Sequence, residues 1–405
     1  MHNVAFRATD RFPIVAAFLG AMAGAPLTIP LGNGSPIVTN PSGTDAAAEE
    51  YREKLDEYTR AREQYEAERA AYWTAVAEKR RLRLSKRRDN QEIALDDYVL
   101  TQPPVYRGAP EPVDPSAPIP EQALSPPLPV VEDFLNAAKA QFDFEPQRPQ
   151  TELEYKRAYA ATAAAAGLTR EQVVRIYAFE ASGNGGYDVQ AGLESPAVGA
   201  RPISTALGYN QLLNASTIEL MARHGDRFLA NLRTKANGLA GPPRAALDSK
   251  LAMLQRMVDI SRTVPDSWSE YQKLAKTPAG RGMHAANLDI DIGPLLQVQA
   301  LVESVAYARQ HGLTGSLSAA ELEMLNLTGD DNGLDIVTMP AALRDQVPTS
   351  NFFEKDGYDA NPVASRRVVA EFIAATNAVM DREAVLQGAQ DLAAVFPQVD
   401  ESGAR

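Results

Sequence analysis

The sequence predicts a mainly α-helical protein, laid out as a long helix, a proline-rich linker and a helical domain. Three observations carry that expectation. Residues 45–98 lack glycine and proline and are rich in Ala, Glu, Lys and Arg, the composition of one long helix. Beyond Val130 apolar residues recur at helical spacing with short breaks. No segment alternates apolar and polar residues for long enough to build a central sheet.

The 405 residues are 45% hydrophobic, which is enough for two domains with a sizeable core. A formal charge of −12 argues against a nucleic-acid surface. With no cysteine, disulfide scaffolds, thiol nucleophiles and Cys-ligated zinc are excluded, and an oxidising compartment is well suited. His2, His224, His284 and His311 are too scattered for a metal-ligand spacing, so no cofactor is expected. The chemistry must then rest on carboxylates, amides and hydroxyls.

At the amino terminus, Arg7 and Arg11 precede an apolar run from Phe12 to Leu31 that contains the small-x-small pattern Ala21-Met22-Ala23. Residues 1–31 therefore read as a secretory signal or amino-terminal apolar segment, and the expected location is periplasmic or secreted. Prolines 13, 26 and 30 interrupt the run, so a membrane anchor is the weaker expectation.

In the long helix of 45–98, Tyr51, Tyr58, Tyr65 and Tyr72 recur every seven residues, with Leu55, Arg62, Arg69 and Val76 between them. A period of seven is a coiled-coil signature. Two arginines on the seam favour imperfect pairing, or a helix lying against another surface such as a partner protein; a solvated spacer is the plainer alternative. Seven basic residues then fall between Lys79 and Arg88, either as a solvated face or to meet anionic lipid, nucleic acid or acidic chain. Ten prolines between Pro103 and Pro129 make residues 99–130 a semi-rigid linker.

Residues 131–390 form the expected helical domain, followed by a tail at 391–405. Helices are expected at Val131–Phe142, Glu152–Ala166, Arg170–Ser182, Ala215–His224, Arg244–Arg262, Pro294–Gln310, Ala319–Leu325 and Ala364–Leu386. Within this domain Thr169 and Gln172 have capping-box spacing ahead of Val173-Val174-Arg175-Ile176-Tyr177-Ala178-Phe179-Glu180. Glu180 follows Val173, Ile176 and Tyr177 by seven, four and three residues, so it projects from the apolar face at the helix end. Desolvation there raises a carboxyl pKa, as a general acid working near neutrality requires. A turn, Ser182-Gly183-Asn184-Gly185-Gly186, follows and lets backbone approach a ligand closely. Gly208-Tyr209-Asn210-Gln211 then precedes another helix.

A helix ending in Glu-x-Ser, a glycine-rich loop and a Gly-x-x-Gln element before a helix resembles the lysozyme-like fold of the lytic transglycosylases. The resemblance implies Glu180 as the catalytic acid, with Ser182, Gly208, Tyr209, Asn210 and Gln211 lining a glycan cleft. Ser182 sits one residue later than the family serine, and Tyr209-Asn210 replaces Leu-Met. The family's Ala-Tyr-Asn-Ala-Gly element finds a partial counterpart in Met324-Leu325-Asn326-Leu327-Thr328-Gly329, with Leu325 in the tyrosine's place and Asn326 as a binding residue. The implied partner is peptidoglycan. The implied reaction cleaves the bond between N-acetylmuramic acid and N-acetylglucosamine, with 1,6-anhydro ring formation. One carboxylic acid suffices, first donating its proton and then taking one from the sugar's 6-hydroxyl, whereas the usual hydrolytic glycosidase needs two carboxyl groups. For a second carboxylate, as in a hydrolase of lysozyme type, Asp188 and Glu194 in the loop are the nearest candidates. An inactive peptidoglycan-binding or scaffold protein is the alternative that the departures at Ser182 and Leu325 suggest.

Other polar clusters read as structural. Asp330-Asp331-Asn332-Gly333 fails the EF-hand pattern and reads as a polar turn. The acids at Asp289 and Asp291 suit helix capping, and His284 suits a structural role.

Overall fold

The computed structural model describes residues 41–114, 128–193 and 200–397. The expected signal at 1–31 lies outside them. Among the described residues the chain is mainly helical, with isolated β-bridges in place of a sheet, and no helix is long and apolar enough to cross a membrane. It divides into two compact units with the break at Leu128.

The first unit is built on α1 (Pro41–Arg88). This helix stops ten residues short of the expected end. Asn90 takes the left-handed conformation (φ 51°), which Asn tolerates better than other residues with a Cβ, and the chain turns back. It returns along α1, and the tyrosine seam faces this strap. Tyr72 donates to the Thr101 carbonyl at 2.9 Å, and the Tyr106 ring meets Tyr65 and Tyr58 edge-on at 5.4 and 6.2 Å. The basic run is used in the same way. Arg83 is buried, donates to the Asp97 carbonyl and lies 4.4 Å from the centre of the Tyr98 ring, while Lys86 pairs with the Asp97 carboxylate at 2.6 Å. The surface that the heptads call for is therefore supplied within the chain, by the first residues of the proline-rich stretch.

The second unit contains fourteen α-helices among its described residues. Part of its core gathers around α2 (Val131–Phe142), α5 (Asn214–Asn237), α6 (Gly241–Ser261), α7 (Trp268–Ala275) and α8 (Pro278–His284), with Phe134, Met221, Phe228, Leu254, Met257 and Met283 buried together. α5 runs thirteen residues beyond the expected stop at His224. Gly225 is not a terminator here: a Cβ on it would lie 2.4 Å from a Val258 methyl, so its missing side chain lets α6 pack closely against α5. His284 sits beneath this core as a neutral side chain. Its Nδ1 lies 2.8 Å from the Thr217 hydroxyl and its Nε2 2.8 Å from the Thr205 carbonyl, and burial pushes its pKa down to about 4.

The remaining helices include those that pack around Glu180. They are α3 (Glu152–Ala165), α4 (Arg170–Glu180), α9 (Gly293–Gln310), α10 (Ala319–Thr328), α11 (Asp330–Thr338), α12 (Ala341–Arg344), α13 (Lys355–Asp359), α14 (Val369–Glu383) and α15 (Gln387–Val395). α4 packs against α3, α10, α14 and α15, and α10 against α9, α11 and α14. Asp330 and Asp331 form the first turn of α11 and accept hydroxyls from Ser304 and Tyr307, so this polar cluster starts a helix. Asp289 closes the turn before α9, accepting from the Asp291 and Ile292 amides while pairing with Lys250 at 2.9 Å.

Candidate active site

α4 begins as its capping box requires: the Gln172 amide donates to Thr169 Oγ1 at 3.1 Å and the Thr169 amide to Gln172 Oε1 at 2.9 Å. Val173, Ile176 and Tyr177 are fully buried, and Glu180, on the same face, is 6% exposed. The helix ends there, with Ala181 as cap and Ser182 in the left-handed conformation (φ 51°). The glycine-rich turn makes its close backbone approach to the chain itself. A Cβ on Gly183 would lie 2.3 Å from the Glu383 carbonyl, and Asn184 Oδ1 accepts from the Gly388 amide at 2.9 Å. The turn is thereby fastened to the α14–α15 connection.

Opposite Glu180 stands a residue that sequence reasoning missed. Glu323 on α10 is 0% exposed, and its carboxyl is a hydrogen-bonding neighbour of that of Glu180. The half-buried Asn326 amide donates to both, to Glu180 Oε1 at 2.9 Å and Glu323 Oε1 at 3.2 Å. α10 continues through Thr328, beyond the expected end at Leu325, and that extension sets Glu323 and Asn326 three residues apart on one helix face. The signal was present as a lone acid inside the apolar run Leu322 to Leu327. Of the loop candidates, Asp188 is engaged by Arg148, and Glu194 lies outside the described residues.

Among the described residues, Glu180 Oε2 and Glu323 Oε2 are both buried without a donor. Two ionised carboxylates so placed would leave two unsatisfied acceptors and a pair of adjacent buried anions. One proton between them relieves both problems. Burial first, and then the Glu323 charge, raises Glu180 well above the usual carboxyl range, with Asn326 opposing; burial likewise raises Glu323.

Tyr159 on α3 connects this pair to the Gly208–Gln211 element. Its phenol feels the charge of both glutamates and donates to Asn210 Oδ1 at 2.9 Å. Asn210 is otherwise fastened to α9, its backbone amide donating to Gln297 Oε1 at 2.8 Å and its side chain to the Gln297 carbonyl at 2.6 Å. Gly208 (φ 82°) brings its backbone against Gln297, where a Cβ would lie 2.7 Å from Nε2. Tyr209 is buried among Tyr155, Tyr159 and Tyr177 with ring centres at 4.7–5.2 Å, and its hydroxyl donates to Glu152. Gln211 is buried and donates to the Gly208 carbonyl at 2.7 Å. The structure thus brings Glu180, Asn326, Tyr159 and Asn210 into one neighbourhood and commits the Tyr209, Asn210 and Gln211 side chains to intramolecular bonds.

Comparison with protein-family models, characterised proteins and solved structures finds no match for this chain.

Leu325 is 1% exposed and packs against α11: a Cβ on Gly333 would come within 2.3 Å of the Leu325 Cα and 2.9 Å of its Cγ. It occupies a different face of α10 from Glu323 and Asn326. A buried proton-holding carboxyl beside a half-buried amide can donate a proton to a substrate oxygen, and the second carboxylate opposes charge build-up of the same sign while favouring a cation nearby.

Proposed function

We propose that the chain is an exported peptidoglycan lytic transglycosylase in which Glu180 is the catalytic acid. The observation that supports this most is the buried carboxyl of Glu180 at the end of α4, which burial pushes toward its protonated form. Glu180 donates to the glycosidic oxygen between N-acetylmuramic acid and N-acetylglucosamine, then draws the proton from the 6-hydroxyl as that oxygen closes on the anomeric carbon. Asn326, half-buried and donating to Glu180, orients the carboxyl toward the glycan. The proposed periplasmic or secreted location rests on Arg7, Arg11 and the apolar run behind them.

A second reading is a lysozyme-like binding or scaffold protein without turnover. The inward commitment of Tyr209, Asn210 and Gln211 favours it, because these side chains would otherwise line a cleft. Digestion of purified sacculi, with mass spectrometry of the soluble products, separates the two. The transglycosylase reading expects anhydro-muropeptides from the parent and a rate lower by about 10²–10⁴ for Glu180→Gln, the usual span for removal of a general acid. Binding to sacculi with no soluble product would instead establish the scaffold reading, and products with reducing ends a hydrolase.

A further inference from the structure

We propose that Glu180 and Glu323 act as a one-proton dyad, in which Glu323 is a positioning residue whose carboxylate keeps the shared proton on Glu180. The geometry carries this: two carboxyls from α4 and α10, both buried, share the donor Asn326, and among the described residues each has a second oxygen that lacks a donor. Several charged groups on the packed elements are occupied elsewhere. On the α14 side Asp381 pairs with Arg175 at 2.5 Å; Asp391 of α15 acts on Lys156 and Tyr177; Glu303 of α9 pairs with His224; Asp331 of α11 takes the Tyr307 hydroxyl. Tyr159 of α3 faces both carboxyls, and as a buried phenol it remains neutral.

The mechanistic consequence rests on the proposed transglycosylase reading. Once its first proton is lost, the dyad holds one proton and one negative charge. When Glu180 passes its proton to the glycosidic oxygen, the bond to the anomeric carbon breaks, its electron pair stays on the departing oxygen, and the dyad carries two negative charges. The positive charge developing on the anomeric carbon and ring oxygen offsets the second one. The 6-hydroxyl oxygen then bonds to the anomeric carbon and its proton returns to Glu180, restoring the single-proton state. A lone carboxylate is a weaker base for that second transfer than one whose anion faces another anion.

The test is the protonation of each glutamate in the full chain, followed by infrared spectroscopy with isotope-labelled glutamate across pH, alongside the pH profile of sacculus digestion. In Glu323→Gln the Glu180 carboxylic-acid band is expected to vanish about one pH unit or more lower than in the parent, the least separation that coupled sites show. The alkaline limb of activity should move with it, and Glu323→Asp should restore it. The hydrogen bond that Glu180 donates lowers Glu323, so Glu180→Leu, which keeps the site buried and removes the donor, should raise the titration of Glu323; this serves if the Glu323 variants fail to fold. An unchanged Glu180 titration in folded Glu323→Gln, or an unchanged Glu323 titration in Glu180→Leu, overturns the dyad. Absence of glycan cleavage by the parent would overturn the transglycosylase reading while leaving the infrared result to decide the dyad.

Discussion

The carboxyl groups of Glu180 and Glu323 meet across the α4–α10 contact and take hydrogen bonds from one amide, that of Asn326. Burial raises both pKa values above the ordinary 4.5, to about 7 for Glu323. A group whose folded value is raised binds its proton more tightly in the folded state. Its stabilisation is therefore complete below pH 4.5 and is lost as pH rises through the raised value. Urea denaturation should show stability falling between pH 5 and 8, with Glu323 alone contributing about 3 kcal/mol of the loss and Glu180 adding to it. Glu180→Gln should flatten that slope and raise the midpoint at pH 8. A parent slope retained in the variant would contradict the assignment.

His284 imposes the opposite dependence. Its folded pKa of about 4 lies below the ordinary 6.5, so the unfolded chain takes up the proton first and stability falls as pH drops from 6.5 toward 4. The loss at pH 4 should be about 3 kcal/mol. Between about pH 5 and 6.5 it opposes the glutamate slope, so the two dependences partly cancel there. Replacing His284 by Gln should remove the acid limb, at a cost in overall stability from the broken Thr217 and Thr205 contacts.

Leu325→Tyr tests the direction of a side chain. If Leu325 faced the site, the added hydroxyl would assist Glu180 and raise sacculus cleavage. Because Leu325 instead packs on Gly333, the variant should lose about 1–3 kcal/mol through overpacking and gain no activity. Gly333→Ala should be destabilised by a similar or larger amount, since its new Cβ meets Leu325 backbone. Thermal melts of both variants and a digestion assay of the first check this.

In the first unit, Tyr106→Ala should loosen the strap and leave α1 helical. It removes two edge-on ring contacts, each contributing about 0.5–1.5 kcal/mol beyond area burial. Limited proteolysis should then cut faster among residues 99–109, with far-UV circular dichroism little changed. Equal cleavage rates in parent and variant would mean that the tyrosine seam does not hold the strap.

Much of the architecture follows from local sequence. The absence of Gly and Pro after Asp45, the capping box at Thr169 and Gln172, and the apolar stripe ending at Glu180 are short-range patterns, and each forms the element its spacing demands. The start of α10 at Ala319 and both ends of α2 follow in the same way. Local chemistry was misleading where a residue serves a distant neighbour. Gly225 looks like a helix end and is a packing notch for Val258; the Ser182–Gly186 turn looks open to a ligand and is fastened to Glu383 and Gly388. The heptad tyrosines imply a covering surface without naming it, because periodicity along one helix says nothing about which segment of chain lies against it.

The sequence by itself therefore determined the helical class, the placing of Glu180 at a buried helix end, and the exclusion of thiol chemistry, since these depend on residue type and on spacing within about two turns. The pairing of Glu180 with Glu323 was decided by tertiary structure alone. The two residues lie 143 positions apart, and whether a buried acid keeps its proton depends on which other carboxyl the folded chain sets beside it.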